Sequence, residues 1–166
     1  MPGKWSRIPL RDLKTYRASR APRLPDCGYD ADEIVHLTIC AAHGEPFADA
    51  DLAQRVCDSV AFYCERFAYR LFGHCLMPDH LHVLLSPNES GVSISKWLQA
   101  FKSFTGHAYV RQGGSSSLWQ RSAHDHVCRR AETAEQVLAY IANNPVRAGL
   151  VECWQDWPWT RVCIEI

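Results

Sequence analysis

The 166-residue sequence predicts an α+β domain of ferredoxin-like type, a split β-α-β-β-α-β antiparallel sheet with one added C-terminal helix. Three observations carry this reading. A β-branched, alternating run opens the domain near residue 34, two stretches of helical periodicity follow separate strand-like segments, and a hairpin is centred on Pro78-Asp79.

The elements follow in order. Ile34-Val-His-Leu-Thr-Ile-Cys40 alternates apolar and polar residues, as a half-buried strand does. Leu52, Val56, Val60, Tyr63 and Phe67 recur every three or four residues and define a first helix, opened by Asp49 or Asp51. Segments 69–77 and 80–86 form the hairpin, with proline at the first corner of its turn. Ile94, Trp97, Leu98, Phe101, Thr105 and Ala108 mark a second helix whose other side offers Lys96 and Lys102. Gly113 to Ser117 is a flexible connector, and the fourth strand falls within 118–128. A last helix begins at the Thr133-x-x-Gln136 capping box and stops before Pro145, with Val137, Leu138 and Ile141 as its buried stripe.

Two of these elements carry chemistry. Alternation puts His80 and His82 on one face of their strand, about 7 Å apart along it, with Leu81, Val83 and Leu85 opposite. Two imidazoles so placed can chelate a metal ion, although an isolated His-x-His is as readily a solvated strand face. A turn centred on Pro78-Asp79 places Cys75 across from His82 and turns His74 to the other face. Cys75 is read as a packing residue. His36, His43 and His107 are read as ordinary structural or surface histidines. On the last helix Gln136, Tyr140 and Asn144 stand four residues apart and stack on a face distinct from the apolar stripe. Alone, such a tyrosine is a core-edge residue and such an asparagine a helix terminator; beside the histidine strand they resemble a nucleophile and a third ligand.

Composition sets bounds. One domain of this length buries its own core. The chain has no apolar run long enough to span a bilayer and no apolar leader, so a soluble, cytoplasmic protein with no membrane partner is expected. Eight cysteines without a C-x-x-C pair fit reduced core residues rather than a disulfide framework. Net charge is zero, yet residues 1–24 carry seven cations against one acid, and residues 26–65 carry nine acids against one arginine. The distribution points to a basic arm over 1–28, with Arg20 and Arg23 among its cations, and a single domain over 29–166. Such an arm is either a solvated tail or a phosphate-contacting segment.

Met77-Pro-Asp-His80-Leu-His82, Leu118-Trp-Gln-Arg121, Asp125-His126 and Tyr140-Ile-x-x-Asn144-Pro-Val-Arg-Ala-Gly-Leu150 together resemble the tyrosine single-strand DNA transposases of the His-hydrophobic-His superfamily, above all the REP-associated tyrosine transposases of bacteria. The resemblance spans roughly Ile34 to Thr160. Between Arg121 and Asp125, where relatives carry aromatic residues, this chain has Ser122-Ala123-His124.

The resemblance implies a metal-dependent single-strand endonuclease and strand transferase acting beside DNA hairpins or imperfect palindromes. In that reading Tyr140 is the nucleophile, forming a 5′-phosphotyrosine. A phenol ordinarily ionises near pH 10, so a divalent ion, Mg²⁺ or Mn²⁺, held by His80, His82 and Asn144 would make the phosphate more electrophilic. His126 is an auxiliary residue or an alternative third ligand. Lys102, Arg121, Arg129, Arg130 and Arg147 would track phosphates, and Trp119 would stack on unpaired bases, whereas Trp154, Trp157 and Trp159 more naturally plug the core. Monomer and homodimer, with the tyrosine acting in cis or in trans, both remain open. The alternative function is a DNA-hairpin-binding protein derived from such an enzyme that no longer cuts.

Overall fold

The computed structural model describes residues 33–87, 91–114, 116–128 and 133–163. Five strands form one antiparallel sheet in the order β4-β1-β3-β2-β5. The strands are β1 (Val35–Cys40), β2 (Arg70–Leu76), β3 (His80–Ser86), β4 (His124–Val127) and β5 (Thr160–Val162). The first four have the ferredoxin-like order, and β5 is added outside β2, a three-residue strand within a Trp-rich segment that sequence patterning left unassigned.

Strand alternation divides the structure into two cores. Val35, Leu37 and Ile39 of β1 and Leu81, Val83 and Leu85 of β3 point towards α1 (Ala50–Arg66) and α2 (Ile94–Arg111), in a cluster that includes Leu52, Val56, Val60, Trp97 and Phe101. Asp49 caps α1 by accepting from the Leu52 amide at 2.8 Å, and Ser93 caps α2. On the opposite face Cys75 and Leu84 meet Val137, Leu138 and Ile141 of α3 (Ala134–Ala142). Thr133 and Gln136 form the expected capping box at the start of α3.

The end of α3 differs from expectation. The helix stops at Ala142, and a one-turn helix, α4 (Asn144–Arg147), restarts with Pro145 in its first turn. Proline lacks the amide hydrogen of a helix interior but fits a first turn, where that hydrogen has no intrahelical acceptor. Asn144 therefore opens a new turn instead of continuing the Gln136–Tyr140 row, and Gln136 is occupied by the cap.

At Gly73 the sheet and α3 approach closely. A Cβ there would lie 2.5 Å from the Arg161 carbonyl oxygen and 2.6 Å from Leu138 Cδ1. Glycine is what lets β5 pair with β2 while Leu138 of α3 seats on the same spot. No helix among the described residues is long and apolar enough to cross a membrane.

Candidate active site

The hairpin register has Cys75 opposite His82 and His74 opposite Val83. His80 and His82 thus share a face of the central strand with Leu84, which packs under α3. His82 is buried and His80 half-buried. Their Nε2 atoms stand 3.0 Å apart, with the two rings nearly perpendicular.

The other nitrogen of each ring is engaged. His80 Nδ1 lies 2.5 Å from Asp79 Oδ1, and His82 Nδ1 lies 3.0 Å from His36 Nε2 and 3.2 Å from Thr38 Oγ1. Hydrogen bonding at Nδ1 is the usual device for presenting Nε2 to a metal. The spacing also fits, since an octahedral cation about 2.1 Å from each nitrogen holds neighbouring ligand atoms about 3.0 Å apart. Burial, followed by the influence of His36, His80 and Arg147, holds His82 well below the usual imidazole range. His82 is accordingly a neutral ring at neutral pH, the form in which imidazole ligates.

The two imidazoles fit a divalent ion as a pair but not yet as a complete set. Among the described residues no group of three His, Cys, Asp or Glu side chains is arranged to hold a metal ion. A third protein donor would complete the set. Asn144 donates its Nδ2 to the Ile141 carbonyl at 3.1 Å, which leaves Oδ1 as the atom able to ligate. His126 occupies the β4 backbone position paired with His36, and its side chain lies outside what the structure describes. Its neighbour Asp125 pairs with Leu37, so it stands on the α1–α2 face and does not share the histidine side.

Cys75, fully buried beside His82, is a packing residue. Burial pushes its thiol up to about 12, despite the Thr160 hydroxyl 3.2 Å from the sulfur. A thiol so held is protonated and does not compete for the ion.

Tyr140 is half-buried at the edge of the α3 cluster, on the histidine side of the sheet. The guanidinium of exposed Arg147 lies over its ring, with Cζ 4.5 Å from the centroid. Arg147 is near enough to His82 to act on it electrostatically. The chain fold therefore gathers the tyrosine, the arginine and the histidine pair on one side of the sheet. His36 is the residue that sequence reasoning missed. The sequence pattern reads it as an ordinary structural or surface histidine, yet it is fully buried and bonded to His82.

The expected DNA-binding residues divide. Trp119 is corrected: it is 5% exposed, its ring packs against Phe47 and Phe101, and its indole N–H donates to Thr105 Oγ1 at 2.8 Å. Buried so, it has no face to offer a base. Lys102 is held by the protein itself, donating to the carbonyls of Gln120 at 2.9 Å and Ser122 at 3.1 Å. It flanks a groove of about 430 Å³ together with His107 and exposed Arg121. Arg147 is exposed as well. Arg20, Arg23, Arg129 and Arg130 lie outside the described residues. Of the C-terminal tryptophans, Trp157 donates its indole N–H to the Leu76 carbonyl and Trp159 packs on the main core.

With this geometry established, comparisons place the chain among known proteins. A family model described as "Transposase IS200 like" matches residues 31–144. A REP-associated tyrosine transposase of Escherichia coli K12 is 30% identical over 86 residues, covering 51% of this chain and 49% of that protein. A Haemophilus influenzae protein provisionally given the same name is 30% identical over 107 residues, covering 58% of this chain and 61% of its own length. The chain thus matches only about half to three fifths of these relatives. A solved structure described as a REP-associated tyrosine transposase bound to a REP hairpin superposes with a TM-score of 0.66 at 20% identity, covering 86% of this chain and 81% of that one. A Deinococcus radiodurans protein provisionally called a transposase gives 0.50 at 18% identity over 74% of this chain and 97% of its own. These structural likenesses bear on the fold alone.

Proposed function

The chain belongs to the IS200-like transposase family, and from that premise we propose that it is a metal-dependent single-strand DNA endonuclease and strand transferase acting beside hairpins. The observation that carries this reading is the pair of Nε2 atoms 3.0 Å apart on the face of the sheet covered by the Tyr140 helix. The description of a structural relative as bound to a REP hairpin supports DNA hairpins or imperfect palindromes as the substrate class.

In the proposed reaction the Tyr140 phenol oxygen attacks phosphorus and loses its proton. The bond from phosphorus to the 3′-oxygen breaks, and that oxygen takes up a proton as a free 3′-hydroxyl. The downstream strand remains attached to Tyr140 through its 5′-phosphate, so a second 3′-hydroxyl can reverse the step and join strands without ATP. His80 and His82, with Asn144 Oδ1 or His126 as a third donor, would hold Mg²⁺ or Mn²⁺. When bound, such an ion supplies charge neutralisation at a non-bridging phosphate oxygen. Arg147, stacked on the tyrosine, restrains the ring and brings positive charge to the place where the phosphate would sit.

One observation favours a second reading, a hairpin-binding protein that no longer cuts: among the described residues no group of three His, Cys, Asp or Glu side chains could hold a metal ion. Cleavage separates the two readings. A hairpin-flanked single strand incubated with Mg²⁺ or Mn²⁺ is expected to be cut by the wild-type protein and not by His80→Ala or His82→Ala, with hairpin affinity retained in both variants. Full cleavage in chelator, or by both variants, would refute the metal role; no cleavage by the wild type across several hairpins would favour the binding protein.

A further inference from the structure

The side chains of exposed Asp79, half-buried His80 and buried His82 and His36 form one continuous line of contacts, running Oδ1 to Nδ1 at 2.5 Å, Nε2 to Nε2 at 3.0 Å, and Nδ1 to Nε2 at 3.0 Å. The line has a simple donor and acceptor arithmetic. An ionised Asp79 only accepts, so His80 donates from Nδ1 and, as a neutral ring, accepts at Nε2. The 3.0 Å contact between the two Nε2 atoms then needs a proton on His82 Nε2. His82 Nδ1 is consequently an acceptor, and His36 is the donor, with its proton on Nε2. For His82 to present an Nε2 lone pair to a cation, the protons on His82 and His36 must each move to the other ring nitrogen, while His80 keeps its own. His82 must carry its proton on Nδ1, and His36 must accept it at Nε2 while carrying its own proton on Nδ1.

We propose that His36 is a positioning residue whose tautomer governs whether His82 offers Nε2 to a metal ion. The inference rests on the metal-dependent reading above and extends it to a residue outside the ligand set. Each ring keeps one proton throughout: His82 exchanges an Nε2 proton for one on Nδ1, and His36 does the same. Thr38 Oγ1, 3.2 Å from His82 Nδ1, can both donate and accept and so supplements either state without selecting one. His36 is well suited to the selection because it is 1% exposed, on β1 beside the central strand, where water does not replace it.

The test uses the full chain and Mn²⁺, with the free ion counted by electron paramagnetic resonance and no DNA present. His36→Leu should weaken Mn²⁺ binding about tenfold, the lower end of what losing an outer-shell partner costs. His36→Gln, whose amide can turn to donate or accept, should stay within about threefold of wild type. His82→Ala serves as the control on the underlying reading. If it binds Mn²⁺ as wild type does, the metal site itself is wrong; if it fails to bind while His36→Leu binds normally, the positioning role alone is overturned. Nitrogen-15 spectra of the wild-type imidazoles remain decisive should His36→Leu not fold. Saturating Mg²⁺ should move the His36 proton from Nε2 to Nδ1, and a His36 tautomer unchanged by Mg²⁺ would overturn the proposal.

Discussion

The guanidinium of Arg147 sits over the ring of Tyr140, with its central carbon 4.5 Å from the ring centroid. Arg147 comes from the one-turn helix that restarts after α3, so the break at Asn143 is what lets the chain fold the arginine back over the tyrosine. At an exposed site such a contact contributes about 0.5–1 kcal/mol to stability. Arg147→Ala should therefore barely shift thermal unfolding, while slowing Tyr140 adduct formation about tenfold, since charge complementarity at the transferring phosphate is lost. Arg147→Lys, which keeps the charge without the flat stacking plane, should fall between them. Adduct formation by Arg147→Ala at the wild-type rate would show that the stack is structural only.

Gly73→Ala tests how closely α3 is held to the sheet. The new methyl group would meet both the Arg161 carbonyl oxygen and Leu138. Overpacking of this kind costs about 1–3 kcal/mol, and here it also displaces the helix that carries Tyr140. Urea unfolding should show the loss, and adding Leu138→Ala should relieve only part of it, because the backbone oxygen remains. Wild-type stability in Gly73→Ala would mean that α3 is not seated as described.

Stability should fall in mild acid. Burial lowers His74 from 6.5 to about 4, and its Nδ1 has no hydrogen-bond partner among the described residues. The unfolded chain takes up a proton at this ring as pH falls through 6.5, whereas the folded chain does so only near 4. The contribution is complete above pH 6.5 and is lost progressively down to about 4, on the order of 3 kcal/mol in all. His82, also depressed by burial, adds to the same trend. Unfolding midpoints measured from pH 7 to 4.5 should decline, and His74→Leu should flatten the slope by about one proton. An identical slope in that variant would place the acid sensitivity elsewhere.

Lys102 and Arg121 should behave differently although both were expected to track phosphates. The Lys102 ammonium is spent on the carbonyls of the 120–122 loop, and Arg121 is exposed. Lys102→Met should lower stability by about 1–3 kcal/mol through those lost charge-assisted bonds and leave the salt dependence of DNA binding nearly unchanged. Arg121→Met should do the reverse, reducing the salt slope by about one. Equal slopes in the two variants would contradict this division of roles.

These contrasts show what the sequence could convey. The Pro78-Asp79 turn and strict alternation settle the hairpin register, so the Cys75–His82 pairing was readable without coordinates. The Thr133–Gln136 cap was equally readable, because it is local. His36 was not. Alternation in β1 separates His36, Thr38 and Cys40 from Val35, Leu37 and Ile39, but only pairing between β1 and β3, residues far apart in the chain, brings His36 onto His82. Trp119 was misread for a related reason. Its position after a Gly-Ser connector suggests exposure, whereas the bridge from Ala41 draws it under α2. β5 is three residues long and pairs only after the chain has wound around the Trp157 turn, too short and too remote for periodicity to mark.

The proposed chemistry turns on the Tyr140 phenol, and the Tyr140→Phe variant removes one oxygen while leaving the α3 packing intact. The measurement is covalent trapping: protein, Mg²⁺ and a hairpin-flanked single strand labelled on either side of the cut, followed by denaturation and electrophoresis. Wild type should form an adduct bearing only the fragment with the 5′-phosphate, and Tyr140→Phe should form none while still binding the hairpin. Tyr63→Phe and Tyr109→Phe, whose rings pack on the α1–α2 side of the sheet, should form it normally. An adduct that persists in Tyr140→Phe would contradict the account, because the nucleophile would then be another residue.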